Sequence, residues 1–335
     1  MNIYLDNGYV DIRKIRDCGC PFIFLIGGRG TGKTFGSIET SVEDNLKFIF
    51  LRRTQVQLEM VRKEEYSPFA KVNRVKNWTL EVKPNGRYSS MIMQGSKELG
   101  RMMALSTIAN VRGFDSDASI IIYDEFIPEL HERRFEEYEA FCNAYETINR
   151  NRELEGHPPV IALCLSNSNT LNNPLLEGFG IVDIIQKKKK EGKTIYINRE
   201  RGIAVFLLDE STISEKKRET ALYKATKGTK FCDMALDNNF ALDFPENIKS
   251  MDLKGYEAIA YINDAFCVYK HKSDKTYYIT AHKRGTPIEY ENAAVDLKRF
   301  REKFRHLLKA RMKGNIYFEN YSLQIKFDNI WKLNV

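Results

Sequence analysis

A lysine and a threonine close a glycine-rich octet, GGRGTGKT, at residues 27–34. Gly27, Gly28, Arg29, Gly30, Thr31, Gly32, Lys33 and Thr34 match G-x-x-x-x-G-K-[ST] in full, after an apolar run and before a helical stretch. Glycines let successive backbone N–H groups turn inward around phosphate oxygens. The positive end of the following helix adds to that cradle. Lys33 would neutralise β- and γ-phosphates, and the Thr34 hydroxyl would ligate magnesium. The implied ligands are ATP and Mg2+; a glycine-rich turn that binds nothing is the bland alternative.

A second constellation is independent of the first. Ile120, Ile121, Ile122 and Tyr123 run directly into Asp124 and Glu125. Carboxylates at the C-terminal end of a buried parallel strand lie where such sheets bind ligands. Asp124 would hold the magnesium ion, through water, and Glu125 would polarise the attacking water as general base. The same pair could merely start the next helix, but beside a phosphate loop it argues for hydrolysis. The apolar run VIALCL ends in Ser166 and Asn167. Asn167, at a strand tip, is placed either to sense a γ-phosphate or to form a turn.

A fourth signal is an arginine. Phe135, Tyr138, Phe141, Tyr145 and Ile148 recur near helical spacing, and the stretch ends in Asn149-Arg150-Asn151-Arg152. A straight helix over 129–152 would span roughly 35 Å at 1.5 Å per residue. Its far end would stand well away from Glu125, which favours Arg150 or Arg152, foremost Arg150, acting on a neighbouring subunit's site. An arginine finger of that kind is worth about three to five powers of ten in rate. The competing reading is a cation favoured at a helix C-terminus.

The elements that must position these residues are also legible. Residues 22–26, 47–51, 120–123 and 160–165 are continuous apolar runs, as in strands buried on both faces. A helix is expected over about 33–45. Residues 80–82 and 88–93 flank Asn85-Gly86, a hairpin signal. Residues 194–197 and 203–208 could pair. Strands alternating with helices predict an α/β fold with a mainly parallel sheet. Composition then shifts. Residues 209–239 are polar, with helical patches such as 214–227, and 257–261, 266–271 and 276–280 read as antiparallel strands followed by a basic helix over 293–313. The expected organisation is an ATPase domain at 1–208, a linker at 209–239 and a smaller α+β domain at 240–335.

Bulk properties narrow the class. The chain has 335 residues, 43% hydrophobic and 29% charged, ordinary values for a globular protein. No run reaches the roughly 18 apolar residues of a membrane helix, and the first residues lack the apolar stretch of a secretory signal, so no membrane partner and an intracellular location are expected. The six cysteines include one close pair, Cys18 and Cys20, which reads as buried free thiols rather than a zinc site. A net charge of +7 hints at a polyanionic partner.

Taken in order, GGRGTGKT, FIFLRRT, IIIYDEF, ETINRNRE, ALCLSNS and MALDNNF resemble the phi-29-like DNA-encapsidation ATPases, packaging motors of small tailed phages related to large terminase subunits. The resemblance is strongest over residues 20–170 and reaches 234–240. It implies an ASCE, RecA-like P-loop ATPase followed by an RNase H-like domain that has lost its chemistry. It further implies a homopentameric ring at a capsid portal, in the host cytoplasm, that drives double-stranded DNA inward, with or without a structural RNA. It gives Lys33, Thr34, Asp124 and Glu125 the roles stated above, Arg150 that of trans finger, and Asn167 that of coupling residue. Arg52 and Arg53 fall in a tract expected to face the neighbouring subunit or DNA. Arg112 lies near where the family carries a trans-acting cation. Tyr4 and Tyr9 are candidates to stack on adenine.

In the second domain the central positions of the first strand are Ala and Ile, where a two-metal nuclease would need a carboxylate. Asp243, Asp252 and Asp264 form the fallback cluster, and Asp274 falls in a turn. Two basic tracts, Lys187–Lys190 with Lys193 and the helix at 298–313, could grip phosphates, touch capsid partners or simply face solvent. Three rival functions stay open: another P-loop DNA motor such as a helicase or extrusion ATPase, a terminase with a live nuclease, and a nucleotide-gated scaffold.

Overall fold

The structure, a computed structural model, describes residues 2–111, 117–128, 136–167, 170–208, 212–229 and 247–331. Arg112, the tract at 234–240, Cys232 and Asp243 lie outside the described residues. The chain divides into two compact units, Met1–Phe179 with Lys188–Ala241 and Gly180–Lys187 with Leu242–Val335. The helices Thr212–Arg218 and Ala221–Ala225 therefore group with the first unit. Among the described residues, no helix is long and apolar enough to cross a membrane.

The first unit is built on one nine-stranded sheet. Its strands are β1 (Phe22–Gly27), β2 (Phe48–Arg52), β3 (Leu80–Asn85), β4 (Ser89–Gln94), β5 (Lys97–Ala104), β6 (Ile120–Asp124), β7 (Ile161–Ser166), β8 (Ile195–Asn198) and β9 (Ile203–Leu208), in the order β3-β4-β5-β2-β6-β7-β1-β9-β8. The six from β5 to β9 are parallel. Their continuous apolar runs follow from burial on both faces: Ile23, Phe24, Leu25 and Ile26 of β1 are fully buried. The antiparallel β3–β4 hairpin and β8 form the two edges. The hairpin turn covers Gly86, Arg87 and Tyr88, since Asn85 pairs with Ser89, and Gly86 takes φ +73°.

Strand β5 is announced neither by an apolar run nor by a turn signal. Its sequence, KELGRMMA, mixes charge with bulk, and it carries Gly100 where it lies against β2. A Cβ there would sit 1.9 Å from the Phe48 carbonyl oxygen, so only glycine permits the approach.

Five helices flank this part of the sheet: α1 (Ile12–Arg16), α2 (Lys33–Glu43), α3 (Gln55–Val61), α4 (Pro68–Lys76) and α5 (Glu137–Asn149). At 13 residues, α5 is shorter than the periodicity suggested and spans about 20 Å. Its direction is fixed at both ends. Glu137 pairs with Arg53, just past the C-terminal end of β2. Asn149 Oδ1 accepts from Val160 N at 2.8 Å, and the Tyr145 hydroxyl donates to Val160 O at 2.8 Å, just before β7 begins. Thus α5 starts at the C-terminal edge of the parallel strands and returns to the N-terminal edge.

In the second unit β10 (Tyr256–Ile262), β11 (Phe266–His271) and β12 (Tyr277–Thr280) form the expected antiparallel meander. β13 (Ile288–Tyr290) and β14 (Ile316–Phe318) add parallel at its two edges, giving the order β13-β10-β11-β12-β14. Phe266, Phe300, Phe304, Leu307, Phe318 and Phe327 make its core. The long basic helix read from the sequence is two helices, Ala294–Lys303 and Arg305–Met312. At the break Leu307 N bonds Phe304 O at 2.8 Å, an i to i−3 bond that tightens the turn. Two of its cations are structural: Arg311 forms a two-pronged pair with Asp328 at 3.0 Å, and Arg301 donates to Ile330 O at 3.1 Å.

Candidate active site

Strand β1 runs into the loop, and α2 leaves it, as the motif requires. Gly30 and Gly32 adopt φ +77° and +92°, a conformation that costs other residues but not glycine. Gly32 is the N-cap of α2 and offers no side chain to the first-turn amides, which suits them to phosphate oxygens. Thr31 is buried and donates to Gly28 O at 3.1 Å, bracing the loop from within. Lys33 is also buried; its Nζ donates to Gly27 O at 2.7 Å and Gly28 O at 2.8 Å. Burial pushes the Lys33 ammonium down to about 7; Asp124 and Glu125 oppose that shift, and Lys217 and Arg29 add to it.

The carboxylates of β6 arrive on the same edge of the sheet. Strand β7 lies between β6 and β1, so the phosphate loop and the acidic pair flank a common strand tip. Thr34 Oγ1 donates to Asp124 Oδ1 at 2.7 Å. This hydroxyl and carboxylate are hard oxygen donors suited to magnesium, so the residues present fit the ion the motif implies. Burial raises the Asp124 carboxyl above its usual range, and Arg52 is the main force holding it down. Glu125 follows at φ +56°, a left-handed conformation uncommon for glutamate, which turns its half-exposed carboxylate away from the strand direction.

Arg52 and Arg53 overturn the expectation that this tract faces DNA or a neighbour. Arg52 Nη1 donates to Asp124 Oδ2 at 2.8 Å, and its Nη2 is bonded to Glu125 Oε2. Arg53 is wholly buried against Glu137. The reason is register: Arg52 is the last residue of β2, hydrogen-bonded beside β6, so its side chain meets carboxylates one strand away. Adjacent basic residues on a sequence resemble a surface patch, and only the strand order reveals their acidic partners.

Asn167 follows the last residue of β7, the strand between loop and acidic pair. The segment around it is tied to the residues that follow β6: Ser166 Oγ accepts from Ile127 N at 3.2 Å, and the buried Asn173 donates to Phe126 O at 3.2 Å. Arg150 is exposed at the C-cap of α5, with Nε donating to Thr147 O at 3.3 Å. It therefore lies at the N-terminal edge of the sheet, opposite to Asp124 and Glu125. Tyr9 packs against the loop, because a Cβ at Gly32 would lie 2.9 Å from its ring, whereas Tyr4 packs against the core. Sequence reasoning missed the pairing of Arg52, the buried partner of Arg53, and Lys217, which reaches the loop from the helix Thr212–Arg218.

Among the described residues no group of three or more His, Cys, Asp or Glu is placed to hold a metal ion. Asp264 occupies the β10–β11 turn at φ +58°, and Asp252 bonds Lys254 N.

A model of the podovirus DNA encapsidation protein (Gp16) family matches residues 9–335. The chain belongs to that family. It is 26% identical over 338 residues to a DNA packaging protein of Bacillus phage B103, covering 93% of this chain and 97% of the relative. It is 26% identical to the DNA packaging protein of Bacillus phage phi29, covering 89% of each. Its fold is that of the chain in the bacteriophage Phi-29 viral genome packaging motor assembly, with a TM-score of 0.67, 23% identity and full coverage of both chains. The Phi-28 gp11 DNA packaging motor is similar at a TM-score of 0.64 and 17% identity, covering 98% of this chain and 99% of that one.

Proposed function

We propose that this chain is the ATP-hydrolysing motor that moves double-stranded viral DNA into a preformed capsid. The observation that carries the reading is the convergence of the loop at 27–34, Thr34, Asp124, Glu125 and Asn167 at the C-terminal ends of the parallel strands of one sheet. The loop amides and Lys33 hold the triphosphate. Thr34 and Asp124 hold the magnesium ion, which would offset charge on the phosphates. Glu125 takes the proton of the attacking water.

Arg150 serves the site of an adjacent subunit. Its position on the opposite edge of the sheet supports this, because α5 spans about 20 Å between that edge and the acidic one. A homopentameric ring at the capsid portal, in the host cytoplasm, is the assembly that follows from the family reading. The apolar Ala258, Ile259 and Ala260 in mid-β10 support a second unit without nuclease chemistry.

The test is ATP turnover by the purified chain with and without double-stranded DNA, under conditions that assemble rings. Turnover that rises with duplex DNA supports a translocase. Unaltered ATP after long incubation would favour a scaffold, strand separation on a forked duplex a helicase, and manganese-dependent cutting of plasmid a live nuclease.

A further inference from the structure

The helix Thr212–Arg218 carries three consecutive cations in its last turn, Lys216, Lys217 and Arg218. Lys216 and Arg218 are exposed, but Lys217 is half-buried and turned onto the phosphate loop. Its Nζ donates to the backbone carbonyl of Arg29. It also fills the space beside Gly30, where a Cβ would lie 2.5 Å from Nζ and 3.1 Å from Cε. The contact joins residues 188 positions apart, so the loop and this helix are brought together by the fold.

The surroundings of Lys217 call for an anion. Burial lowers its ammonium below the ordinary lysine value, and Lys71 of α4 lowers it further. Lys33, in the same loop, is in turn disfavoured by Lys217 and Arg29. Lys33, Arg29 and Lys217 thus bring three cations to one loop, opposed there by the carboxylates of Asp124 and Glu125, and a backbone carbonyl is a weaker acceptor for ammonium than a phosphate oxygen. An ammonium has three donors, of which the Arg29 carbonyl takes one. Lys33 marks the loop region that serves the β- and γ-phosphates, and its repulsion by Lys217 shows that the two lysines share that neighbourhood.

We propose that Lys217 is a second phosphate-binding lysine, one that recognises the terminal phosphate of the nucleoside triphosphate and docks the helix Thr212–Arg218 on it. The inference rests on the reading that the loop at 27–34 binds ATP. It gives the segment after β9 a direct sense of whether tri- or diphosphate is bound, because ADP lacks the group Lys217 would hold.

The experiment compares equilibrium binding of ADP and of a non-hydrolysable ATP analogue to the full chain and to Lys217→Ala and Lys217→Arg. Lys217→Ala should weaken the analogue about ten- to hundredfold and ADP less than about twofold, while Lys217→Arg restores most of the difference. Amide exchange over 215–229 should slow when the wild type binds the analogue, and should not slow for Lys217→Ala. A tether without ligand contact would weaken both nucleotides alike or neither, and either result overturns the proposal. If the wild type binds while Lys217→Ala behaves identically, Lys217 alone loses its role. If the wild type binds neither nucleotide, the site reading falls and the proposal with it.

Discussion

Arg52 holds Asp124 and Glu125 at once, one guanidinium nitrogen on each carboxylate, and so joins the end of β2 to the two acids of β6. Asp124 is buried; desolvation raises its carboxyl above the ordinary aspartate value, and this arginine is the largest influence opposing that rise. Removing the arginine leaves the acid poised to protonate, which would deprive the magnesium ion of a ligand. Arg52→Ala should therefore weaken magnesium-nucleotide binding by about tenfold, the scale of one lost charge-assisted contact. The defect should shrink as rising pH favours the ionised Asp124 carboxylate. A loss of affinity that stays constant between pH 6.5 and 8.5 would show that Arg52 acts otherwise.

Lys33 makes a second pH prediction, with the opposite sign. Burial sets its ammonium at about 7, and a triphosphate must raise that value. A group whose pKa rises on binding takes up protons in the complex. Affinity for nucleotide should therefore be nearly flat below pH 7 and fall as pH climbs above it, by up to about tenfold per unit. Calorimetry at pH 8 in buffers of different ionisation enthalpy should report net proton uptake by the wild type. Lys33→Ala should lose turnover, and normal turnover in that variant would remove the site assignment altogether.

The ion pair of Arg53 with Glu137 has a structural consequence instead. The two side chains are 0% and 1% exposed, and breaking such a pair strands a charge in the interior. Arg53→Ala or Glu137→Ala should each destabilise the chain by about 3–5 kcal/mol. Replacing both with apolar residues of similar volume should recover much of that loss, as thermal and denaturant melts can measure. Equal melting of wild type and single variants would mean that the pair is open to water in solution.

How much of this was legible depends on whether the determining contact is local. The loop at 27–34, the run into Asp124 and Glu125, and the four apolar parallel strands are signals carried within about ten consecutive residues, and the fold places them as expected. The hairpin at Asn85-Gly86 is local as well. Arg52, Arg53 and Lys217 were opaque because their partners are 72, 84 and 188 positions away. Strand β5 hid because an edge-proximal strand need not be apolar on both faces. In the second unit, β13 and β14 are three residues each, too short to show any period.

Arg150 remains the residue whose role depends on a second copy of the chain. It caps the end of α5 at φ +44°, on the edge of the sheet opposite to Glu125. The other end of α5 is anchored to Arg53, beside the acidic pair, so the length of the helix separates the arginine from its own site. Arg150→Ala should lower turnover by about three powers of ten with little change in nucleotide affinity, as expected of a group that acts on the transition state. Mixing Glu125→Ala with Arg150→Ala subunits should then restore part of the activity. Under random assembly about a quarter of the interfaces pair an intact Glu125 with an intact Arg150 from the neighbour. Recovery that peaks near an equal ratio would establish action between subunits; no recovery at any ratio, with mixed rings verified, would return Arg150 to a role at the end of its own helix.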